Sequence, residues 1–139
     1  MDEKNRRICV IGAGPTGLSV NVAFKMALDK GEKIPEIVIY EKQETYLGLW
    51  NYSWKTGVDE HGEPVHNTMY DNLYINACKE LHEYPYYTFL DHWKKPTPSY
   101  PPRKAMRSYL EGRFKKYGEP DWIHFNTVVK NVMFDETTK

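Results

Sequence analysis

Three tracts of this chain carry a readable hydrophobic period, and one long tract does not. Residues 7–11 form a nearly continuous apolar run, as a strand covered on both faces would. Cys9 lies inside it and reads as a small core residue. A helical stretch over residues 18–29 follows, with Leu18, Val22 and Met26 four apart and Val20, Phe24, Ala27 and Leu28 beside them. Nearly every face is apolar, which predicts a well-buried helix. Pro15 suits its first turn, and Gly31 suits its end. Pro35 then introduces a second strand, Glu36 to Tyr40. The period of 3.6 returns after Pro101 and Pro102, where Met106, Leu110, Phe114 and Tyr117 make one helical stripe. Gly118 and Pro120 stop it. Residues 122–125 and 127–134 read as strands, and the polar run 135–139 reads as the turn of a β-hairpin that begins there.

The tract from Glu41 to about Pro102 is broken by glycines and prolines. Loops of that length inside a compact domain are usually functional or disordered. Aromatic residues make up 14% of the chain, with 11 Tyr and 4 Trp, and many fall in this tract, which argues against disorder. Two readings of them stand side by side. They pack on a flat ligand, or they glue the loop to the rest of the domain. Helical turns are expected around residues 67–72.

The join between the first strand and the first helix carries the chemistry. It reads Gly12-Ala-Gly14-Pro-Thr-Gly17. Such a triplet also occurs as a plain structural turn. Here strand, glycines, helix and second strand come in the order of a dinucleotide-binding βαβ unit, and the acid Glu41 closes the second strand. Gly12 permits the tight turn, Gly14 lets backbone approach a pyrophosphate, and Gly17 lets the helix pack close to the sheet. The anion would rest on free N–H groups at the positive end of the helix dipole. Glu41 would grip ribose hydroxyls.

Composition narrows the class. Nineteen basic and nineteen acidic residues give a net charge of +0. There is no basic stripe, so no nucleic-acid partner is expected. The two cysteines form no CxxC, the five histidines show no metal-ligand spacing, and a reducing cytoplasm fits. The charged N-terminus has too short an apolar run for a signal peptide or a membrane span.

The motifs add up to a resemblance. Gly12-Ala-Gly-Pro-Thr-Gly17, Tyr40-Glu-Lys-Gln43 and Gly48-Leu-Trp-Asn-Tyr52 resemble the flavin-containing monooxygenases. The run from Trp54 to His66, then Met69-Tyr70, Asn76-x-x-Lys79-Glu80 and Ser99-Tyr-Pro-Pro-Arg103, are similar to the bacterial trimethylamine monooxygenase branch. The resemblance covers essentially the whole chain, but only the N-terminal part of such an enzyme. The second, NADPH-binding glycine motif is absent. Residues 1–139 are therefore expected to be an α/β, Rossmann-type FAD-binding segment, an incomplete domain of a larger two-dinucleotide enzyme, and a fragment or truncated gene product.

Such enzymes bind FAD, reduce it with NADPH, and pass oxygen from a flavin C4a-hydroperoxide to an amine nitrogen or a sulfide. The cofactor does the hard chemistry while the protein positions it. The resemblance assigns Gly12, Gly14, Thr16 and Gly17 to the FAD pyrophosphate, and Glu41 and Gln43 to the adenosine ribose. Leu49 and Trp50 wall the flavin. His66 and Val129 contact FAD, and Tyr74 and Asn76 face the flavin and nicotinamide. Asn76 is the catalytic candidate, because a neutral amide stabilises the hydroperoxide without protonating it. A small amine or sulfide and O₂ are the expected partners, with no membrane, and with a homo-oligomer possible in the full-length form. Apart from the resemblance, Trp50 also reads as a core aromatic, His66 as a loop histidine and Asn76 as a turn residue. Two positions depart from the family. Leu47 stands where a glycine is usual, and Cys78 where a proline is usual before Lys79. A non-catalytic FAD- or NAD-binding or interaction module, from a truncated paralogue, is the competing class. A disulfide reductase is disfavoured because no CxxxxC follows the first unit.

Overall fold

The computed structural model describes residues 6–136. Strand β1 spans Arg7–Ile11, helix α1 Pro15–Asp29 and strand β2 Glu36–Tyr40. β1 and β2 run parallel, with Arg7 opposite Glu36 and Ile11 opposite Tyr40. A short strand β3, Ile123–His124, adds in parallel to the other side of β2, giving the order β1-β2-β3. Helix α1 is thus the crossover that parallel pairing demands. Between β2 and β3 lie the long loop, a short helix α2 (Phe89–Trp93) and helix α3 (Arg103–Tyr117).

The core forms between the sheet and the helices. Ile37, Ile39 and Ile123 from the strands meet Leu18 and Val22 of α1 and Met106, Leu110 and Phe114 of α3. Those three α3 residues belong to the stripe that the period predicted, and its fourth member, Tyr117, packs half-buried against the core. The centre of the α3 face is Tyr109, which is fully buried. Its ring stacks on Phe89 with centroids 4.0 Å apart and on Tyr87 at 5.5 Å. Its hydroxyl donates to the Tyr87 carbonyl and accepts from the Tyr84 amide. Burial pushes the Tyr109 phenol up to about 12. Next to it, His92 of α2 bonds the Tyr87 hydroxyl through Nδ1 at 2.7 Å and the Ser108 hydroxyl through Nε2 at 3.0 Å. Gly112 makes room for this contact, since a Cβ there would lie 2.5 Å from the His92 ring. The aromatics of residues 84–93 are therefore largely glue between loop and α3, which decides between the two readings for that part of the loop.

Several expectations are corrected. Residues 127–134 form no strand, so the hairpin start is absent among the described residues. Asn126 adopts φ +53 and turns the chain at the end of β3. Beyond Thr127, whose amide donates to the Glu41 carbonyl, no ladder takes up the segment, and β-rich sequence without a pairing strand stays irregular. Val132, Met133 and Phe134 are exposed. β1 is an edge strand that alternates exposed and half-buried positions rather than being covered on both faces, and Cys9 is exposed, not core. Helix α1 buries one face, through Leu18, Asn21 and Val22, and leaves Leu28 exposed. Around residues 67–72 there is a single hydrogen-bonded turn, closed by the Leu73 amide on the Tyr70 carbonyl, and no helix.

One polar residue sets where β3 lies. Asn21 is fully buried on α1. Its amide nitrogen donates to the Glu119 carbonyl at 2.8 Å, and its oxygen accepts from the Glu119 amide at 2.7 Å. This pair fixes the chain just before it enters β3. Replacing one partner leaves the other unsatisfied. Asn21→Ala is expected to lower stability by about 1–3 kcal/mol in urea unfolding. An unchanged midpoint would show that water takes over both bonds.

Candidate functional site

The glycine turn sits at the carboxyl ends of β1 and β2, where ligands bind in open α/β sheets. Gly12 adopts φ +94, a left-handed conformation that a side chain would resist, and its amide donates to the Tyr40 carbonyl at 2.8 Å. A Cβ on Gly17 would lie 2.0 Å from the Gly12 carbonyl oxygen, so this glycine is required for turn and helix to meet. Gly14 differs. A Cβ there would meet nothing within 4 Å. Gly14 is the N-cap of α1 and supplies no capping side chain. The amides of Thr16 and Gly17 donate to no acceptor among the described residues. The turn thus combines open space with unsatisfied N–H groups at a helix N-terminus.

Beside it lies a cleft of about 320 Å³, toward the small end of ligand pockets. Gly12, Gly14, Glu41, Gln43, Leu49, His66 and Val129 all line it, although they are spread across the chain. Thr16 and Gly17 belong to the first turn of α1 beside it. Trp50, Tyr74 and Asn76 do not line it. The walls are completed by Ile11, Tyr40, Lys42, Gly48, Thr127 and Val128, to which the sequence assigned no ligand contact. The signal for the first three was available, since they sit at the strand ends next to the motif. Thr127 and Val128 carried none, because their segment read as a strand.

Glu41 is 5% exposed. One carboxylate oxygen accepts the Ala13 amide at 2.7 Å and the other accepts the Gln43 amide at 2.9 Å. Two oxygens offer about four acceptor positions, so lone pairs remain for ribose hydroxyls. The Glu41 backbone also joins β3, through its amide to the His124 carbonyl at 2.9 Å.

The segment after β2 folds back on the turn. The Leu47 amide donates to the Ala13 carbonyl at 2.8 Å. Leu47 adopts φ +84, a conformation that favours glycine, while its side chain is fully buried. The departure from glycine is thus held by core packing. A Cβ on Gly48 would come within 3.3 Å of the Gly14 Cα, so the two segments touch. A 3₁₀ turn over Gly48–Trp50 then points Leu49 at the cleft and sets Trp50 half-buried against the core. Tyr74 and Asn76 lie on a separate strap. It is tied to the start of α3 by the Arg103 amide on the Leu73 carbonyl and the Ile75 amide on the Pro101 carbonyl. Both side chains are exposed. Cys78 holds φ −65, proline's own value, so that departure leaves the backbone where proline would put it.

A family model described as flavin-binding monooxygenase-like matches residues 5–137. The chain belongs to this family. It is 50% identical to the trimethylamine monooxygenase of Methylocella silvestris over 96% of its own length and 30% of that protein's. It is also 50% identical to the one from Pelagibacter ubique, over 93% of this chain and 29% of the relative. The crystal structure of Tmm from Pelagibacter sp. strain HTCC7211 superposes with a TM-score of 0.83 at 49% identity, covering 87% of this chain and 28% of that one. The chain therefore spans about 30% of the length of the curated relatives it matches.

The glycines give a paired prediction. Gly14→Val is expected to keep the fold and lose flavin binding, because its side chain would enter open space that a ligand needs. Gly17→Val is expected to lower stability as well, because its Cβ meets backbone. Thermal unfolding and flavin titration of both variants test this. Full flavin affinity in Gly14→Val would contradict it.

Proposed function

We propose that this chain is the N-terminal FAD-binding segment of an NADPH-dependent, cytoplasmic monooxygenase that oxygenates soft nucleophiles, namely trimethylamine-type amines and sulfides. The observation that carries the proposal is the glycine turn. Open space at Gly14, two free amides on α1 and the buried Glu41 carboxylate together fit a pyrophosphate and its ribose. The nearby cleft has room for part of a dinucleotide, and the similarity to trimethylamine monooxygenases supplies the reaction class. When bound and reduced by NADPH, FAD supplies an activated form of O₂ to the substrate nitrogen or sulfur.

The chain's own residues bind, orient and shield. Thr16 and Gly17 hold the pyrophosphate by their free backbone amides, while Gly12 shapes the turn and Gly14 leaves room for the phosphates. Glu41 accepts ribose hydroxyls, with Gln43 beside it. His66, Val129 and Leu49 bound the cleft and limit water entry. Trp50, Tyr74 and Asn76 lie beyond its walls and meet a ligand long enough to pass them. Asn76 is exposed and offers a neutral amide that donates and accepts without releasing a proton.

In the full-length enzyme, Asn76→Leu is expected to retain FAD and NADPH oxidation while product yield falls roughly 10²-fold or more, the scale for loss of one polar stabilising group at a reacting centre. Hydrogen peroxide should appear in place of the amine oxide. Rapid-mixing spectra and peroxide assays with trimethylamine measure both. An unchanged product yield would make Asn76 structural.

A further inference from the structure

A charge is buried behind the glycine turn. Arg113, on α3, is 3% exposed. Among the described residues its hydrogen-bonding partners are hydroxyls, not carboxylates. Nε donates to the Tyr86 hydroxyl at 3.0 Å and Nη2 donates to the same oxygen. The guanidinium carbon lies 3.6 Å from the centroid of the Tyr84 ring. Nη1 reaches the Ser19 hydroxyl oxygen at 3.4 Å. A desolvated cation without a counter-charge among the described residues is costly.

Ser19 gives this charge a direction. Its hydroxyl donates to the Pro15 carbonyl at 2.8 Å. Its one proton is then committed, so the Tyr84 hydroxyl, 3.1 Å away, donates to it. Ser19 accepts from both Tyr84 and Arg113 and passes a single bond to Pro15. The Pro15 carbonyl and the Thr16 N–H belong to one peptide unit. Drawing electron density toward that oxygen makes the N–H a stronger donor, as in any polarised chain of hydrogen bonds. The Thr16 amide is one of the two left free at the start of α1.

We infer that Arg113 is a positioning residue for the pyrophosphate site, acting through the Ser19 hydroxyl to fix and polarise the Pro15–Thr16 peptide. The inference rests on reading the first turn of α1 as a pyrophosphate site. It differs from a purely structural role for Arg113, in which the side chain only joins α3 to residues 84–86. Glue affects stability alone. A positioning residue affects affinity for ligands that carry the phosphates.

ADP and adenosine separate the two, because only ADP reaches the turn with charge. Calorimetric titration of the full chain with each nucleoside, beside thermal unfolding, is the test. Arg113→Met is expected to raise the ADP Kd about threefold, no more than loss of the hydroxyl it acts through, and to leave the adenosine Kd unchanged. Arg113→Lys keeps the charge and should recover part of the loss. Ser19→Ala removes the relay while leaving both bonds from Arg113 to the Tyr86 hydroxyl in place. It should raise the ADP Kd about threefold, a fraction of one hydrogen bond, and leave the adenosine Kd unchanged. That variant keeps the inference testable if Arg113→Met fails to fold. Equal shifts for ADP and adenosine, or no ADP shift in Ser19→Ala, would overturn the role of Arg113 alone. A wild-type chain that binds neither ligand would overturn the reading of the site itself, and this inference with it.

Discussion

The buried carboxylate of Glu41 holds the site in shape. It accepts the amide of Ala13, in the middle of the glycine turn, and the amide of Gln43, just past β2. Hydrogen bonds to a charged acceptor are worth about 1.5–3 kcal/mol each, and these two lock a turn that has few other restraints. Among the described residues Gly12 is tied through its amide to Tyr40, and the Ala13 carbonyl receives Leu47. With Ala13 and Leu47 so fixed, the first turn of α1 and the wall at Gly48 and Leu49 take their places. Through its own backbone Glu41 also receives β3 and Thr127. One residue thus joins the glycine turn and both sides of the cleft.

Most of what surrounds Glu41 was legible in the sequence, for a local reason. Strand, glycines, helix and strand specify a βαβ unit within about 30 residues, a motif whose periods and turn chemistry are read directly. The stripe on α3 was legible on the same grounds. What escaped depends on contacts between distant residues. Nothing in the local pattern shows that Asn21 clasps the backbone at Glu119, or that Tyr109 is the hub on which Tyr87 and Phe89 stack. The 127–134 segment misled because β-propensity speaks of side chains, while a strand also requires a partner. Cys9 misled because an apolar run does not reveal that its sheet has an open edge.

The long loop divides into parts with different tasks. Residues 84–93 are built into the domain by ring stacking and by the His92 bonds to Tyr87 and Ser108. Residues 46–50 shape the cleft, with Tyr46 packed edge-on to Phe114 at 4.8 Å. The 57–66 stretch is held near the cleft by Lys42 on the Pro64 carbonyl at 2.9 Å and by the Lys130–Glu63 ion pair. Leu47 shows how such a loop tolerates an unfavourable backbone. Its left-handed conformation is disfavoured by about 1–2 kcal/mol, and full burial of a leucine side chain contributes about 1.5–3 kcal/mol in the opposite direction. Packing therefore outweighs the strain.

If the first turn of α1 is an anion site built from backbone amides, the pyrophosphate of FAD must reach those amides. The most direct measurement is an amide proton–nitrogen correlation spectrum of the isotopically labelled chain, recorded as FAD is added. The Thr16 and Gly17 amides are then expected to move downfield together with FAD occupancy, as free N–H groups acquiring a charged acceptor do. Amides at the far end of α1 should stay in place. Saturable FAD binding that leaves Thr16 and Gly17 unmoved would contradict it, because the pyrophosphate would then rest elsewhere.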